Sequence, residues 1–400
     1  MQHRIIVLGA GYTGASAAGR LARRLRREDV SITLVNAEPD FVERVRMHQL
    51  AAGQDLPRRP LAEMFAGTGV ALKLARVTGV DADRRTVTVL DADGTEEELP
   101  YDTLVYALGS AWNDHGVPGV AEHAHDIAGR PGALRLRERL AGLDAGQPVV
   151  VVGGGLTGVE AASEIAEARP DLDVALVAAG GLGDWLSPKG RRHLRAVFDR
   201  LGVTVHEQTE VTAVSADHVT TAGGATIPAA VTVWTAGFAV HPLAQATTLQ
   251  VGDTGQIVVD GTMRSVSHPD VYAIGDAALV MGPGDKPLRM SCASGIPTAW
   301  QAADALAARL TGGKLPKVPL RYFNQCVSLG RRDGLIQYVT ADDRAVRAAL
   351  TGRMAAVYKE LICKGAAWGV AHPTTGLPTR RRRVVQEPAR VEEPAVRAAA

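Results

Sequence analysis

Two stretches decide the fold: Ile5–Arg23, "IIVLGAGYTGASAAGRLAR", and Val149–Glu167, "VVVVGGGLTGVEAASEIAE". Each runs from an apolar β segment through G-x-G-x-x-G into an alanine-rich helical stretch. In such a turn the first glycine permits the reversal, the second lets backbone approach a pyrophosphate, and the third lets helix pack on strand. The helix N-terminus then presents unpaired N–H groups and a partial positive charge to that pyrophosphate. Gly9, Gly11 and Gly14 form the first grip, with Tyr12 and Thr13 inside it. Gly153, Gly155 and Gly158 form the second, with Leu156 and Thr157. Two grips in one chain predict two dinucleotides and hydride transfer between them.

Working outward, 400 residues call for two or three domains. A formal net charge of +1 gives no reason to expect nucleic acid as a partner. No apolar run is long enough for a spanning helix, and the first strand begins almost at residue 4, which leaves no room for a leader. Cys292, Cys326 and Cys363 form no C-x-x-C pair, which predicts a reducing cytoplasm, no disulfide framework and no metal site.

The expected class is α/β, with two Rossmann-type domains, the second inserted in the first, and a small α+β C-terminal part. The first Rossmann-type domain is expected at 1–113 and 263–318, the second at 114–262, the C-terminal part at 319–383, and a disordered tail at 384–400. Alternating "TVTVL" and the Asp93-Gly94 turn predict a β meander laid on the first sheet. Beyond the strand-like "RYFNQCVSLGRRDGLIQYV", a helix is expected over about 343–364. On it Leu350, Met354, Val357 and Leu361 recur at helical spacing as one apolar stripe.

The order of motifs adds a resemblance. The two glycine motifs, "YALGS", "WTAGF" and "VYAIGD" in this succession are similar to the two-dinucleotide flavoprotein oxidoreductases of the pyridine nucleotide-disulfide oxidoreductase superfamily, and most of all to their type II NADH dehydrogenase-like group. The resemblance implies FAD on the first fold, with Asp276 of "GD" on the ribityl chain beside Gly275. It also brings Val77, and Ala107 and Gly109 of "YALGS", to that cofactor. An acid after the second strand usually accepts from the adenosine ribose. Here Asn36 holds that place and Glu38 stands two residues on, and either can accept. Arg44 and His48 fall in the stretch that passes the isoalloxazine in the resembling enzymes, where they line the flavin or serve structure. Redox cysteines of the disulfide reductases are missing from this stretch.

The second grip would hold NADH or NADPH, with Gly237 of "WTAGF" beneath the nicotinamide. Glu160 resembles the glutamate that orients the nicotinamide or moves protons, a catalytic role; a first-turn Glu also suits the helix macrodipole. Ala178 and Ala179 stand where an acid usually selects NAD, while Lys189, Arg191 and Arg192 follow as candidate contacts to a 2′-phosphate or as a solvated helix start. A helix N-terminus expected at Pro297–Thr298 would face the flavin pyrimidine edge. The two glutamines that quinone reductases of the group carry on it are replaced by Trp300 and Asp304. Cys292 falls near the flavin or serves as a buried apolar residue.

From Arg321 to Arg383 twelve basic side chains stand against four acidic ones. A basic amphipathic helix there fits a weak peripheral contact with the inner face of the membrane, a core contact or a homodimer equally well. The sequence therefore points to a cytoplasmic, FAD-dependent NAD(P)H oxidoreductase passing electrons to a quinone or other small acceptor. The alternatives are a flavoenzyme acting on a biosynthetic substrate or redox protein, and a redox-sensing NAD-binding flavoprotein.

Overall fold

The structure, a computed structural model, describes residues 2–316, 320–376 and 380–385. Strand β1 (His3–Leu8) passes through Gly9 into α1 (Tyr12–Arg24), and β2 (Val30–Asn36) returns parallel to β1. Ile5–Leu8 are buried on both faces, which is why they form an unbroken apolar run and not an alternation. Two short helices follow, α2 (Met47–Ala51) and α3 (Leu61–Met64), before β3 (Val70–Leu74) extends the sheet beyond β2. The meander is β4 (Arg76–Asp81), β5 (Thr86–Leu90) and β6 (Glu96–Pro100), with Val87 and Val89 turned inward. Strand β7 (Thr103–Tyr106) then pairs with β1 on its other side, and β8 (Ser110–Trp112) leaves the sheet.

The second unit repeats the plan. It runs α4 (Val120–His123), β9 (Ala124–His125), α5 (Arg130–Ala141), β10 (Pro148–Val152), α6 (Leu156–Ala168), β11 (Asp173–Val177), α7 (Pro188–Leu201) and β12 (Thr204–His206). A small antiparallel sheet, β13 (Val211–Val214), β14 (His218–Thr221) and β15 (Thr226–Pro228), precedes β16 (Val231–Trp234). The parallel order is β12-β11-β10-β16-β9, with β10 and its glycine turn at the centre. Strand β17 (Phe238–Val240) pairs with β8, a two-stranded link back to the first unit.

There β18 (Ile257–Val258) pairs with β20 (Ala278–Leu279), and β19 (Val271–Ala273) completes the order β19-β7-β1-β2-β3. Helix α8 (Cys292–Leu310) packs along α1. The C-terminal part is an antiparallel sheet, β21 (Asn324–Ser328), β22 (Gly334–Val339) and β23 (Ala345–Thr351), backed by α9 (Arg353–Ala371).

Four expectations shift. Ala244, Leu249, Ile257 and Val259 pack into the core of the first sheet, so the chain re-enters that unit at β17, well before residue 262. Helix α8 starts at Cys292, and Pro297 lies inside it. A proline this close to the start removes only one internal N–H bond, and the Thr298 hydroxyl caps the turn by donating to Gly295 O at 2.7 Å. Residues 345–351 form a strand because Gly352, at φ +79°, breaks any helix continuing from Leu350 to Met354. Leu350 thus sits on β23, and the outward face of α9 carries Met354, Val357 and Leu361, 54–72% exposed. Of the expected tail, Val384 and Val385 dock on the first unit through Asp29 and Leu310, while 386–400 lie outside the described residues.

Candidate active site

At the first grip the three glycines differ in what surrounds them. A Cβ on Gly9, which sits at φ +90°, would stand 2.5 Å from Ala107 O, and one on Gly14 would collide with Gly9 O. Protein packing alone therefore demands both. Gly11 has an ordinary extended backbone, and a Cβ there would meet nothing within 4 Å. The second grip repeats this. Gly153 (φ +124°) is crowded by Thr235 and Gly158 by Gly153 O, whereas Gly155 opens on empty space. A middle glycine with room to spare is explained by a ligand that must approach the backbone. In both grips the free N–H groups of the helix start, Tyr12–Thr13 and Leu156–Thr157, lie beside that opening.

Around the first grip several polar side chains gather. Asn36 accepts from Ala10 N–H at 2.8 Å and donates to Glu38 O at 2.7 Å, so its amide is committed to shaping the turn. The Glu38 carboxylate, exposed at the end of β2, is left available to accept hydrogen bonds. Asp276 follows Gly275, which packs against Thr13 of this grip. Ser110 Oγ donates to Asp276 Oδ2 at 2.6 Å, and Arg44 Nη1 lies 3.6 Å from the same oxygen while donating to Ser110 O at 2.7 Å. The Arg44 guanidinium also stacks over Phe238, 5.1 Å from its centroid. Gln256 donates to the backbone oxygens of Asp276 and Ala278, holding the "GD" turn, where Gly275 is packed against Thr13 and bonded toward Thr298. Ala107 and Gly109 follow β7, and Val77 is buried on β4. Tyr12 is buried edge-on against Phe41, and burial raises its phenol.

Glu160, in the first turns of α6, is buried in a polar nest built by distant segments. Ser328 N–H and Oγ–H donate to its Oε1 at 2.9 and 3.1 Å, and Lys359 of α9 forms an ion pair with the same oxygen. His48 Nε2 lies 3.2 Å from Ser328 Oγ, and its Nδ1 lies 3.8 Å from Glu160 Oε2. Burial, reinforced by Lys359, Arg331 and Arg46, holds His48 neutral, well below its ordinary range. A neutral His48 donates to Ser328 Oγ when the serine hydrogen points at Glu160. Burial pulls the Lys359 ammonium below its ordinary range, while the paired Glu160 carboxylate favours its charged form. One turn on, Glu164 is buried with Gln54 on one oxygen and no partner on the other, and burial pushes it up to about 7.

Ser328 and Lys359 escaped the sequence reading. The visible signal was the Lys-Glu pair interrupting the apolar stripe of α9. Lys359 pairs with Glu160 on the buried face, between Ala355 and Cys363, and Glu360 pairs with Arg46 and Arg331. Trp300 and Asp304 face α1: Arg20 lies over the Trp300 ring, and Asp304 binds Arg20 and Arg24. In the second unit Ala178 is buried and Ala179 exposed, Lys189 donates to Ala349 O, and Arg191 pairs with Asp184. Gly237 sits against His115, which bonds toward Ala236 O. All three thiols are raised by burial, Cys292 to about 11 and Cys326 to about 12, so none is a thiolate at neutral pH.

Compared with known proteins, residues 3–306 match the family described as pyridine nucleotide-disulphide oxidoreductase. A NADH dehydrogenase-like protein of Mycobacterium tuberculosis is 33% identical over 320 residues, covering 74% of this chain and 77% of that protein. Demethylphylloquinone reductase of Synechocystis is 27% identical over 376 residues, covering 89% and 92%. NDH2 from Plasmodium falciparum, solved in complex with NADH, shares the fold with a TM-score of 0.78 at 15% identity, over 94% of this chain and 97% of that one.

Proposed function

Because the chain belongs to the pyridine nucleotide-disulphide oxidoreductase family, among its NADH dehydrogenase-like members, we propose that it is an FAD-dependent NAD(P)H oxidoreductase that passes electrons to a quinone or another small oxidant. The observation that carries this reading is the pair of middle glycines, Gly11 and Gly155, open to a ligand where their neighbours are closed by protein. FAD, when bound, accepts two electrons from reduced nicotinamide and delivers them onward.

The chain's own residues supply position and protons. The α1 N-terminus and Glu38 hold the adenosine diphosphate end, and Asp276, aligned by Ser110 and Arg44, accepts from the ribityl hydroxyls. The α6 N-terminus holds the nicotinamide dinucleotide. Glu160 orients the nicotinamide and exchanges a proton with Lys359 and the Ser328 hydroxyl as the redox state changes. NADH is the favoured donor, since Lys189 is occupied by Ala349 O and Arg191 by Asp184, leaving Arg192 alone for a 2′-phosphate. Both oxygens of Asp304 are engaged by Arg20 and Arg24 of α1, so the acceptor does not dock through that carboxylate.

The outward face of α9 supports a peripheral membrane contact. Met354, Val357, Leu361, Ile362 and Trp368 are each half-exposed or more, and Arg353 and Lys364 flank them. No helix among the described residues is long and apolar enough to cross a membrane. The deciding experiment is anaerobic titration of the FAD-loaded protein with NADH and with NADPH, followed by a quinone analogue. Bleaching by NADH and recovery on adding the quinone are expected. A protein that holds no FAD, or whose flavin neither nucleotide bleaches, overturns the reading.

A further inference from the structure

Away from both grips, the C-terminal ends of α1 and α8 and the segment 380–385 line an open cavity of about 300 Å³ in which Lys314, Arg380 and Arg382 are solvent-exposed. Main-chain bonds build it. Arg382 N donates to Arg24 O at 2.8 Å, Arg26 N donates to Arg382 O at 3.1 Å, and Val385 N donates to Leu310 O at 2.8 Å. Gly313 admits the Arg382 guanidinium: a Cβ there would stand 2.8 Å from its Nη1. The charged lining is Arg24, Lys314, Arg380, Arg382 and Asp304, over a floor that includes Ala307.

The charges in this lining do not balance. Asp304 is the one carboxylate in it, and its oxygens are taken by Arg20 at 2.6 and 2.8 Å and by Arg24 at 2.5 Å. Among the described residues Lys314, Arg380 and Arg382 have no carboxylate partner. Basic side chains at helix C-termini offset the macrodipole, but each end carries only about half a negative charge. Two helix ends and Asp304 together offset about two of the four lining cations, so a surplus of about two positive charges remains before Arg20 and Arg23 are counted. Arg24 registers the crowding: burial lowers its pKa, and Arg20 and Arg382 lower it further against Asp304.

We propose that this cavity is a binding site for a small phosphate-bearing anion, a phosphate monoester or a diphosphate. A phosphate group carries about −1.5 to −2 at neutral pH, which matches the surplus. Guanidinium forks on Arg380 and Arg382 suit its oxygens bidentately, and Lys314 adds a point charge. The volume lies at the lower end of small-ligand pockets, and the alanine floor accepts a compact organic remainder.

The test is calorimetric titration of the holoenzyme, carrying FAD and saturated with NAD⁺ so that both dinucleotide grips are filled, with inorganic pyrophosphate. One saturable site is expected. The Lys314→Ala/Arg380→Ala double variant should bind at least about tenfold more weakly while NADH still bleaches its flavin at the unaltered rate. No saturable binding, or equal affinity in the double variant, overturns the proposal. A second arm identifies the natural source of the anion. Co-sedimentation with phosphatidic acid vesicles that pyrophosphate reverses assigns the site to a lipid headgroup. Saturable pyrophosphate binding without co-sedimentation assigns it to a soluble phosphate ester.

Discussion

The two dinucleotide units share one local plan and differ in what stands around it. In both, the first and third glycines are demanded by protein atoms and the middle one by open space. The first unit adds a committed Asn36, a free Glu38 and an Asp276 braced by Ser110 and Arg44. The second has no acid at Ala178 or Ala179, yet sinks Glu160 into a nest with Lys359, Ser328 and His48. On the proposed reading, the first unit spends its polar groups on holding a cofactor, and the second sets a buried carboxylate–ammonium pair beside its glycine turn.

The comparison breaks most visibly at the glycines. Gly14→Ala forces a methyl onto Gly9 O and should cost about 3 kcal/mol or more, seen as loss of soluble protein or a large drop in the denaturant midpoint. Gly11→Ala should stay within about 1 kcal/mol of the parent yet bind FAD about tenfold or more weakly. Equal destabilisation by both would show that the opening at Gly11 has no bearing on a ligand. Gly155→Ala should spare FAD and raise the NADH concentration needed for half-bleaching by a similar factor.

Next in size is the nest. Glu160→Gln strands a buried Lys359, so a stability loss of about 3 kcal/mol is expected, with turnover falling about a hundredfold or more. Adding Lys359→Met should recover the stability, measured by urea unfolding, and leave turnover low. Recovery of turnover by the double variant would reduce Glu160 to a structural role.

A smaller effect is set by pH. Burial raises folded Glu164 from 4.5 to about 7, so between these values the folded chain holds a proton that the unfolded chain releases. Its contribution to stability is therefore most favourable below about 4.5, falls as pH rises through the window, and levels off above 7. The fall is on the order of 3 kcal/mol, and Glu164→Gln should flatten it. An unchanged slope in that variant would place the titration elsewhere. Smallest is the nucleotide preference. Ala179→Asp, which supplies the missing ribose acceptor, should raise the NADH-to-NADPH ratio of kcat/KM about tenfold.

Much of the first unit is legible in the sequence because its determinants are local. A strand, three glycines and a helix lie within twenty residues, and the "GD" motif marks its own turn. The nest around Glu160 is not legible. Lys359 and Ser328 come from the C-terminal part, and along the sequence Lys359 looks like an interruption of an apolar stripe. That stripe inverted in the fold: Ala355, Lys359, Cys363 and Ala367 turn inward and the larger apolar residues outward. Leu350 satisfied helical spacing, but the positive φ of Gly352 put it on a strand. Pro297 suggested a helix start, while the helix began five residues earlier because one missing N–H near its end is tolerated.

By itself the sequence determined the two α/β units, their phosphate grips and the lack of a neighbouring cysteine pair, since these follow from backbone sterics and short-range periodicity. Tertiary structure alone decided which carboxylate is buried against which cation, which amide is already spent on a turn, and where, among the described residues, basic side chains gather without a carboxylate partner. Those outcomes depend on desolvation and distance between segments far apart in the chain. No local pattern encodes them.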